Sequence, residues 1–472
     1  MPLDRILFFT CLGFLLGNFA VSIIPENLFL FTATLGVAVC FLIAGYKENW
    51  KILGGLVLVV GFVFGGFYNL EKTEQFSNFN LSPELNNLSA RVVSDPYVKN
   101  ATQRFLLEFK SGFKLLVYSS PYPQFKYGEI LEVSGKTEIA PKDGYGDYLE
   151  KMGAVGSIFF PEIKILGIRE MGIRGWLYDL RHLAENNIIW VLPMRESALL
   201  NGLVFGDTEE FSEEFKEDMQ KSGTTHLTAL SGYNIAVVAT AALSFFLLFL
   251  RRRLAVVGAV LAITAFVLMT GAEPSVVRAA LMGGLVLLAK ESGRLYDLKN
   301  AIAFVASVMV FFNPKILVYD LGFQLSFLAL LGIVYLAPAL AKLFKWKDLK
   351  QNSFKDLFLS SISAQLAVAP LLLYQFGFVS WFGILVNLIV LPLIPFVMGI
   401  GFLASALGFL KLGFISWVAW PILVFIRKAI EIGSLPKMFI FQPAIWHVAV
   451  YWSMLIIFIS VKLKERNVGD FK

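Results

Sequence analysis

About twelve stretches of this chain, most close to 20 residues long, are apolar enough to cross a bilayer, and this limits the fold more than any other feature. A backbone in lipid must satisfy its own hydrogen bonds, so such runs become helices. Three come early, near 5–24, 28–46 and 52–70. Nine more are expected near 226–250, 254–271, 274–290, 299–313, 321–341, 357–376, 382–410, 413–431 and 445–462. The 382–410 run is too long for one straight helix: either Pro392 and Pro395 break it, or it tilts or re-enters. Charged residues make up 16% of the chain, against about 25% in soluble domains, which excludes a soluble protein. The N-terminal run lacks a small-x-small cleavage site, so a retained helix is expected there. Cys11 and Cys40 both lie in apolar runs and predict neither a disulfide framework nor a metal pair.

Between the two blocks of spans hydrophobicity falls. Residues 71–175 carry 13 Lys/Arg and 13 Asp/Glu. Strand-like pieces lie at 87–98, 102–110, 113–120, 127–139 and 156–166, punctuated by Gly, Pro, Asn and Ser. A short helical piece, 145–154, precedes the last of them. Five strands with a helix before the last suit a small barrel of OB type. The expected fold class is a polytopic α-helical membrane protein of about twelve spans with an inserted small all-β, OB-like extracytoplasmic domain.

The expected division is three N-terminal helices over 1–70, the β domain over 71–170, an amphipathic and acidic interfacial segment over 171–225, a multi-span block over 226–462 and a cytoplasmic tail over 463–472. Within the interfacial segment, 174–193 mixes charge with apolar positions at helical spacing, which suits a helix on the membrane surface or packed on the bundle. With the N-terminus inside, KENWK (47–51), RRR (251–253), KESGR (290–294), KLFKWKDLKQNSFK (342–355), Lys411 and KLKER (462–466) all fall on the cytoplasmic side. Arg427 and Lys428 run against that count. The net charge of +6 reads as orientation signalling.

Polar residues inside spans are costly and mark function by default. They concentrate in the second block. THLTALSGYNIAVVA (225–239) opens a span with His226, Ser231 and Asn234. Gly271 ends one helix and Pro274 opens the next, with Glu273 near its cap and Arg278 about one turn inside. Asp320 and Gln324 are four apart and share a helix face. Gln365 precedes Pro370, and Asn387 precedes Pro392. For Gln365 and Asn387 taken singly, interhelical hydrogen bonding suffices. For His226, Glu273, Arg278 and Asp320 together a polar pathway is the better reading.

Several chemistries fail on inspection. Gly135-Lys136-Thr137 lacks the glycine a phosphate loop needs five residues earlier, where Ile130 stands. The three histidines, His182, His226 and His447, form no zinc motif. No catalytic residue, metal or cofactor is expected. Ser231 with His447 as base would make an intramembrane serine protease, but nothing in the sequence brings the two together. A secondary transporter of a small anionic solute is the main alternative, though the three-plus-nine split of spans shows no repeat symmetry.

The ordered motifs resemble one family, the ComEC-type competence proteins, DNA-uptake channels of the inner membrane of transformable bacteria. ALLNGLVFGDTEEFSEEFKEDMQKSGTTHLTALSGYNIAVV (198–238) resembles the family's Gly-Asp segment followed by His-Leu-x-Ala-x-Ser-Gly. GAEPSVVRAALM (271–282), DLGFQLSFLALLGI (320–333), the Pro370 segment, and Asn387 with its prolines resemble the further signatures. Residues 71–168 resemble the family's OB-like domain. The chain departs from the family at Tyr233-Asn234, where Leu-His is common. It also stops ten residues after its last span, so the metallo-β-lactamase-like domain of many members is not expected.

The resemblance implies a channel in the cytoplasmic membrane that passes single-stranded DNA inward during natural transformation. His226, Ser231, Asn234, Glu273, Arg278, Asp320, Gln324, Gln365 and Asn387 would line the path, with Arg278 as a phosphate contact. The implied partners are single-stranded DNA, the lipid bilayer, a DNA-receptor protein, a separate nuclease and a cytoplasmic motor.

Overall fold

The computed structural model describes residues 3–24, 29, 50–77, 82–141, 144–293, 296–344, 346, 353–408, 413–435 and 439–464. Apart from Phe29, the run expected at 28–46 lies outside the described residues, as do Lys411, most of the KLFKWKDLK loop and the tail from 465. Among the described residues eight helices are long and apolar enough to cross a membrane: Asp4–Ile23, Gly54–Thr73, Thr225–Leu247, Arg252–Met269, Leu321–Leu343, Lys355–Phe376, Gly383–Gly408 and Ile445–Lys462. The chain is thus a polytopic helical membrane protein with an inserted β domain. Three other expected spans are helices that fall outside this set, Pro274–Glu291, Leu298–Phe312 and Trp420–Gly433. At 15 residues Leu298–Phe312 reaches only about 22 Å, short of a hydrocarbon core of about 30 Å.

The chain divides into two compact units, Met1–Leu180 with Val238–Leu321, and Arg181–Val237 with Gly322–Lys472.

In the first unit, helices Leu3–Ile23 and Trp50–Ser77 cross closely because both present glycines. A Cβ on Gly13 or Gly17 would run into the Leu58 or Phe62 carbonyl, and one on Gly61 or Gly65 into Thr10 or Phe14. This is the small-xxx-small packing that lipid favours, because apolar side chains gain nothing there over lipid tails. A polar seam adds to it. Asn69 Nδ2 donates to the Asn18 carbonyl at 3.0 Å and to Ser22 Oγ at 3.1 Å. Helix Leu298–Phe312 packs on the pair through Ser307, whose hydroxyl donates to the Cys11 carbonyl, and through Phe311, whose ring stacks on Tyr68 at 5.0 Å.

Among the described residues the β domain of this unit has seven strands: β1 (Glu84–Val92), β2 (Tyr97–Lys99), β3 (Thr102–Phe109), β4 (Lys114–Ser119), β5 (Glu129–Ile139), β6 (Gly156–Phe159) and β7 (Glu162–Arg169). Five close into a ring, β1-β3-β4-β6-β5 and back to β1. Every pairing in it is antiparallel except β4 with β6. This is the small OB-like barrel that the strand spacing predicts. Alternation fills it: Gln103, Phe105, Leu107 and Phe109 of β3 point inward, with Leu115, Val117, Leu131, Val133 and Ile158 beside them. Burying each such aliphatic or phenyl side chain contributes about 1.5–3 kcal/mol. The strand expected at 156–166 is two strands, split at Phe160 (φ 45°) and Pro161. Proline has no N–H to continue the ladder. Helix Gly144–Lys151 covers an outer face of the barrel and also holds the segment Asn313–Asp320. Lys151 Nζ lies 2.8 Å from Asp320 Oδ2, Lys315 Nζ 2.7 Å from Glu150, and Asn313 Nδ2 donates to the Lys151 carbonyl at 2.8 Å.

In the second unit, helix Met194–Phe205 is buried from Glu196 onward and closes at Gly206, whose φ of 79° suits glycine. Its Glu196 forms an ion pair with Arg427 at 3.0 Å, and Arg427 also bonds Glu431. Arg427, one of the basic pair that runs against the orientation count, is thus held by two carboxylates. The 383–408 run breaks where its prolines predict, into helix Gly383–Val390, a 3-10 turn at Leu391–Leu393 and helix Ile394–Gly408. Pro370 lies inside helix Ser353–Phe376 and cannot donate to the Leu366 carbonyl. The Tyr451 hydroxyl takes that acceptor at 3.0 Å, and the Trp452 indole N–H donates to the Ala367 carbonyl at 3.2 Å. Neighbouring side chains thus restore what proline removes.

Candidate functional site

The polar segment THLTALSGYNIAVVA does not begin as a regular helix. Thr225–Leu227 form a 3-10 turn, and the helix starts only at Gly232. Ser231 precedes it and donates its hydroxyl to Asn234 Oδ1 at 3.2 Å. Asn234, 1% exposed, donates Nδ2 to the Leu203 carbonyl at 3.3 Å. That carbonyl lies in the last turn of helix Met194–Phe205, where acceptors have no partner within the helix. Asn234 therefore ties the start of the span to the end of the preceding helix.

His226 is exposed on the 3-10 turn. Just before it, the buried hydroxyls of Ser222 and Thr224 lie 2.7 Å apart. Gly223 between them (φ 70°) packs closely on Ser380 and Gly383, where a Cβ would lie 3.1 Å from the Ser380 side chain. Gln365 Nε2 donates to the Ser380 carbonyl at 3.1 Å. Asn387 lies one turn beyond Gly383, is 8% exposed, and its Oδ1 has no hydrogen-bond partner among the described residues. The second unit thus gathers the His226 turn, Gln365 and Asn387 about the Gly223–Gly383 contact. Gln324 is half-buried on helix Leu321–Leu331. That helix runs into a π-turn, Gly332–Leu336, and Gly332 packs against Ser363 and Ala367 on either side of Gln365. Such turns recur at functional sites.

The first unit holds the other three expected residues. Gly271 (φ 85°) and Ala272 (φ 58°) make the turn before Pro274, the first residue of its helix. Glu273 at the cap is exposed, and Arg278 is half-buried one turn inside. Asp320 is 6% exposed and held by Lys151 of the β domain. The rival pairing of Ser231 with His447 finds no support. The Ser231 hydroxyl turns to Asn234, and His447 Nδ1 accepts the Ala444 N–H at 3.1 Å while its ring stacks on Trp446. Among the described residues no group of three or more His, Cys, Asp or Glu could hold a metal ion.

The sequence reading missed a feature of the β domain. Tyr97 of β2, Arg104 of β3, Tyr118 of β4 and Phe159 of β6 are cross-strand partners in one continuous row. The Arg104 guanidinium lies 5.0 Å over the Tyr118 ring, which stacks on Phe159 at 4.7 Å and 14°. Helix Gly144–Lys151 adds Tyr145, whose hydroxyl meets that of Tyr118 at 3.1 Å, and Tyr148, hydrogen-bonded to Tyr97. Phe159 is 43% exposed and the adjoining Phe160 64%. Burial and the Tyr145 hydroxyl push the Tyr118 phenol up, and burial with Tyr97 pushes Tyr148 up to about 12. The phenols therefore stay neutral at physiological pH, leaving Arg104 as the charge on the row. The alternation of β3 shows that Arg104 points outward, but the register that lines up the other three is a long-range property.

A second polar group sits beside the Gly206 turn. Glu185, 5% exposed, accepts from Arg181 Nε at 2.6 Å and faces His182 Nδ1 at 3.2 Å. Burial and then the Glu185 charge hold the Asp207 carboxyl above the usual carboxylate range.

A family model described as "Competence protein" matches residues 203–465. ComE operon protein 3 of Bacillus subtilis (strain 168) is 31% identical over 239 residues, 48% of this chain and 29% of that protein. The matched part thus spans less than a third of the curated relative. No solved structure matches the chain.

Proposed function

From the chain's membership of the competence protein family, we propose that it works in natural transformation, passing single-stranded DNA inward across the cytoplasmic membrane with its β domain on the outer side. The observation that carries this reading is the Tyr97–Arg104–Tyr118–Phe159 row. Bases of any sequence have a π-face, so a row of rings with a guanidinium receives a single strand without reading it. The adjoining strands of an OB barrel are where such folds take oligonucleotides. The near-neutral domain limits phosphate attraction, so affinity rests on stacking more than on counterion release.

Beyond the barrel, the strand needs a path shielded from lipid. Within the second unit the His226, Gln365 and Asn387 group and Gln324 are the polar side chains proposed to line it, and within the first unit Arg278 and Glu273 at the Gly271–Pro274 junction are proposed to meet the strand. Arg278 would contact phosphate. A DNA-receptor protein, a nuclease and a cytoplasmic motor are the partners proposed for it.

The test is binding of a fluorescent single-stranded oligonucleotide to the purified full chain, followed by anisotropy. Phe159→Ala should weaken binding by about 1–3 kcal/mol, the contribution of one stacked base, with little dependence on base sequence. Equal affinity in the wild type, Phe159→Ala and Arg104→Ala would remove the barrel from the DNA path.

A further inference from the structure

Strand β7 departs from the pattern of the rest of the barrel. Strand β3 buries every second position, whereas Lys164 to Ile168 of β7 are all exposed. Ile165, Leu166 and Ile168 are 51%, 43% and 57% exposed. Among the described residues β7 pairs with β5 alone, so its other edge is open. The exposed apolar surface continues through Met171, Ile173 and Trp176 at the start of helix Ile173–Ile189. Leu177 and Tyr178, on the other side of the helix's first turns, are buried.

This surface is held rigid against the barrel. Arg169 grips Asp179 with two hydrogen bonds of 2.8 Å and donates Nε to the Tyr127 carbonyl at 2.9 Å. Tyr127 packs on Tyr178 with ring centroids 5.2 Å apart. Strand β7 and the first turns of the helix therefore move with the β domain.

We propose that this surface is a foot that seats the β domain in the headgroup layer of the bilayer its own helices span. An open apolar edge strand in water invites pairing with other chains, and a contiguous exposed apolar patch marks a protein or membrane contact. Three observations favour lipid. The patch adjoins the start of a helix that exposes Trp176, and tryptophan concentrates at membrane interfaces. Residues 164–176 carry Lys164, Arg169 and Arg174 against Glu170 alone, and Glu170 is engaged by Arg91. That balance suits anionic headgroups. The open edge also fixes the depth: its N–H and C=O groups cannot enter hydrocarbon, but water among headgroups satisfies them. The proposal is independent of what the barrel binds.

The test places a nitroxide label at Ile168→Cys, Ile173→Cys or Tyr122→Cys in a full-length Cys11→Ala, Cys40→Ala background, reconstituted in vesicles containing anionic lipid. Tyr122, 76% exposed, serves as the water-facing reference. Labels at 168 and 173 should show an oxygen-to-nickel-chelate accessibility ratio several-fold above that at 122. Chelate access equal to that at 122 places the foot in water and overturns the proposal. Low access to both reagents, or spin coupling between copies, shows a protein cover and overturns it too. All three substitutions lie at exposed positions, so each label reports on a folded chain.

Discussion

Asn234 Nδ2 reaches the Leu203 carbonyl at 3.3 Å, joining the start of one span to the last turn of the helix before it. Both groups are shut away from water, so removing the donor leaves a buried acceptor unpaired. Asn234→Ala is expected to cost about 1–3 kcal/mol, seen as a lower melting temperature. An imidazole N–H can donate to the same carbonyl, so Asn234→His should recover most of the loss. If Ala and His are equally destabilised, or neither is, the tie has no energetic weight.

Tyr451 and Pro370 make a second coupled pair. The Tyr451 hydroxyl serves the Leu366 carbonyl that Pro370 leaves without a donor. Tyr451→Phe should cost about 1 kcal/mol in the wild-type background. Pro370→Ala returns a backbone N–H to that carbonyl, and in that background Tyr451→Phe should cost close to nothing. A double-mutant cycle of thermal stabilities measures the difference, and additive losses would refute the coupling.

The β domain is held to the segment Asn313–Asp320 by Lys151–Asp320 and Lys315–Glu150. Asp320→Ala is expected to lower the melting temperature and speed proteolysis of the β domain, because Lys151 loses a charged hydrogen bond of about 1.5–3 kcal/mol. Exchanging the two residues, with Lys151→Asp and Asp320→Lys together, should restore most of the protection. A swap no better than the single change would show that the pair does not hold the domain.

The Asp207 carboxyl titrates above its unfolded value because burial and Glu185 disfavour its charge. Its contribution to stability is then full below the unfolded pKa and is lost as pH rises through the folded one. Asp207→Asn should therefore raise the melting temperature at pH 7, and the gain should shrink toward pH 4. A gain that grows on acidification would reverse the assignment.

Local pattern carried much of this architecture. Apolar length marked the spans, alternation marked β3 and β5, and Pro392 marked the break after Val390, because each is a property of neighbouring residues. Pairings between distant segments were not readable. Glu196 and Arg427 lie 231 residues apart, and each looks like a misplaced charge until the other is set beside it. Lys151 and Asp320 are 169 apart. Asp320 drew notice as a costly charge in an apolar stretch, but its partner on the β domain has no local signature. The Tyr97–Arg104–Tyr118–Phe159 row depends on the register of four strands, which period-two alternation leaves open.

The most direct test of the central claim is the amount of labelled DNA that reaches a nuclease-protected pool inside competent cells. Cells would carry the wild-type chain, Arg278→Ala, or Tyr118→Ala with Phe159→Ala, at matched membrane levels. Tyr122→Ala, exposed and off the row, is the control. Protected single-stranded DNA should fall sharply in the first two variants and stay at the wild-type level in the control. Wild-type uptake in both Arg278→Ala and the double variant would contradict the proposal that this protein carries the strand across the membrane.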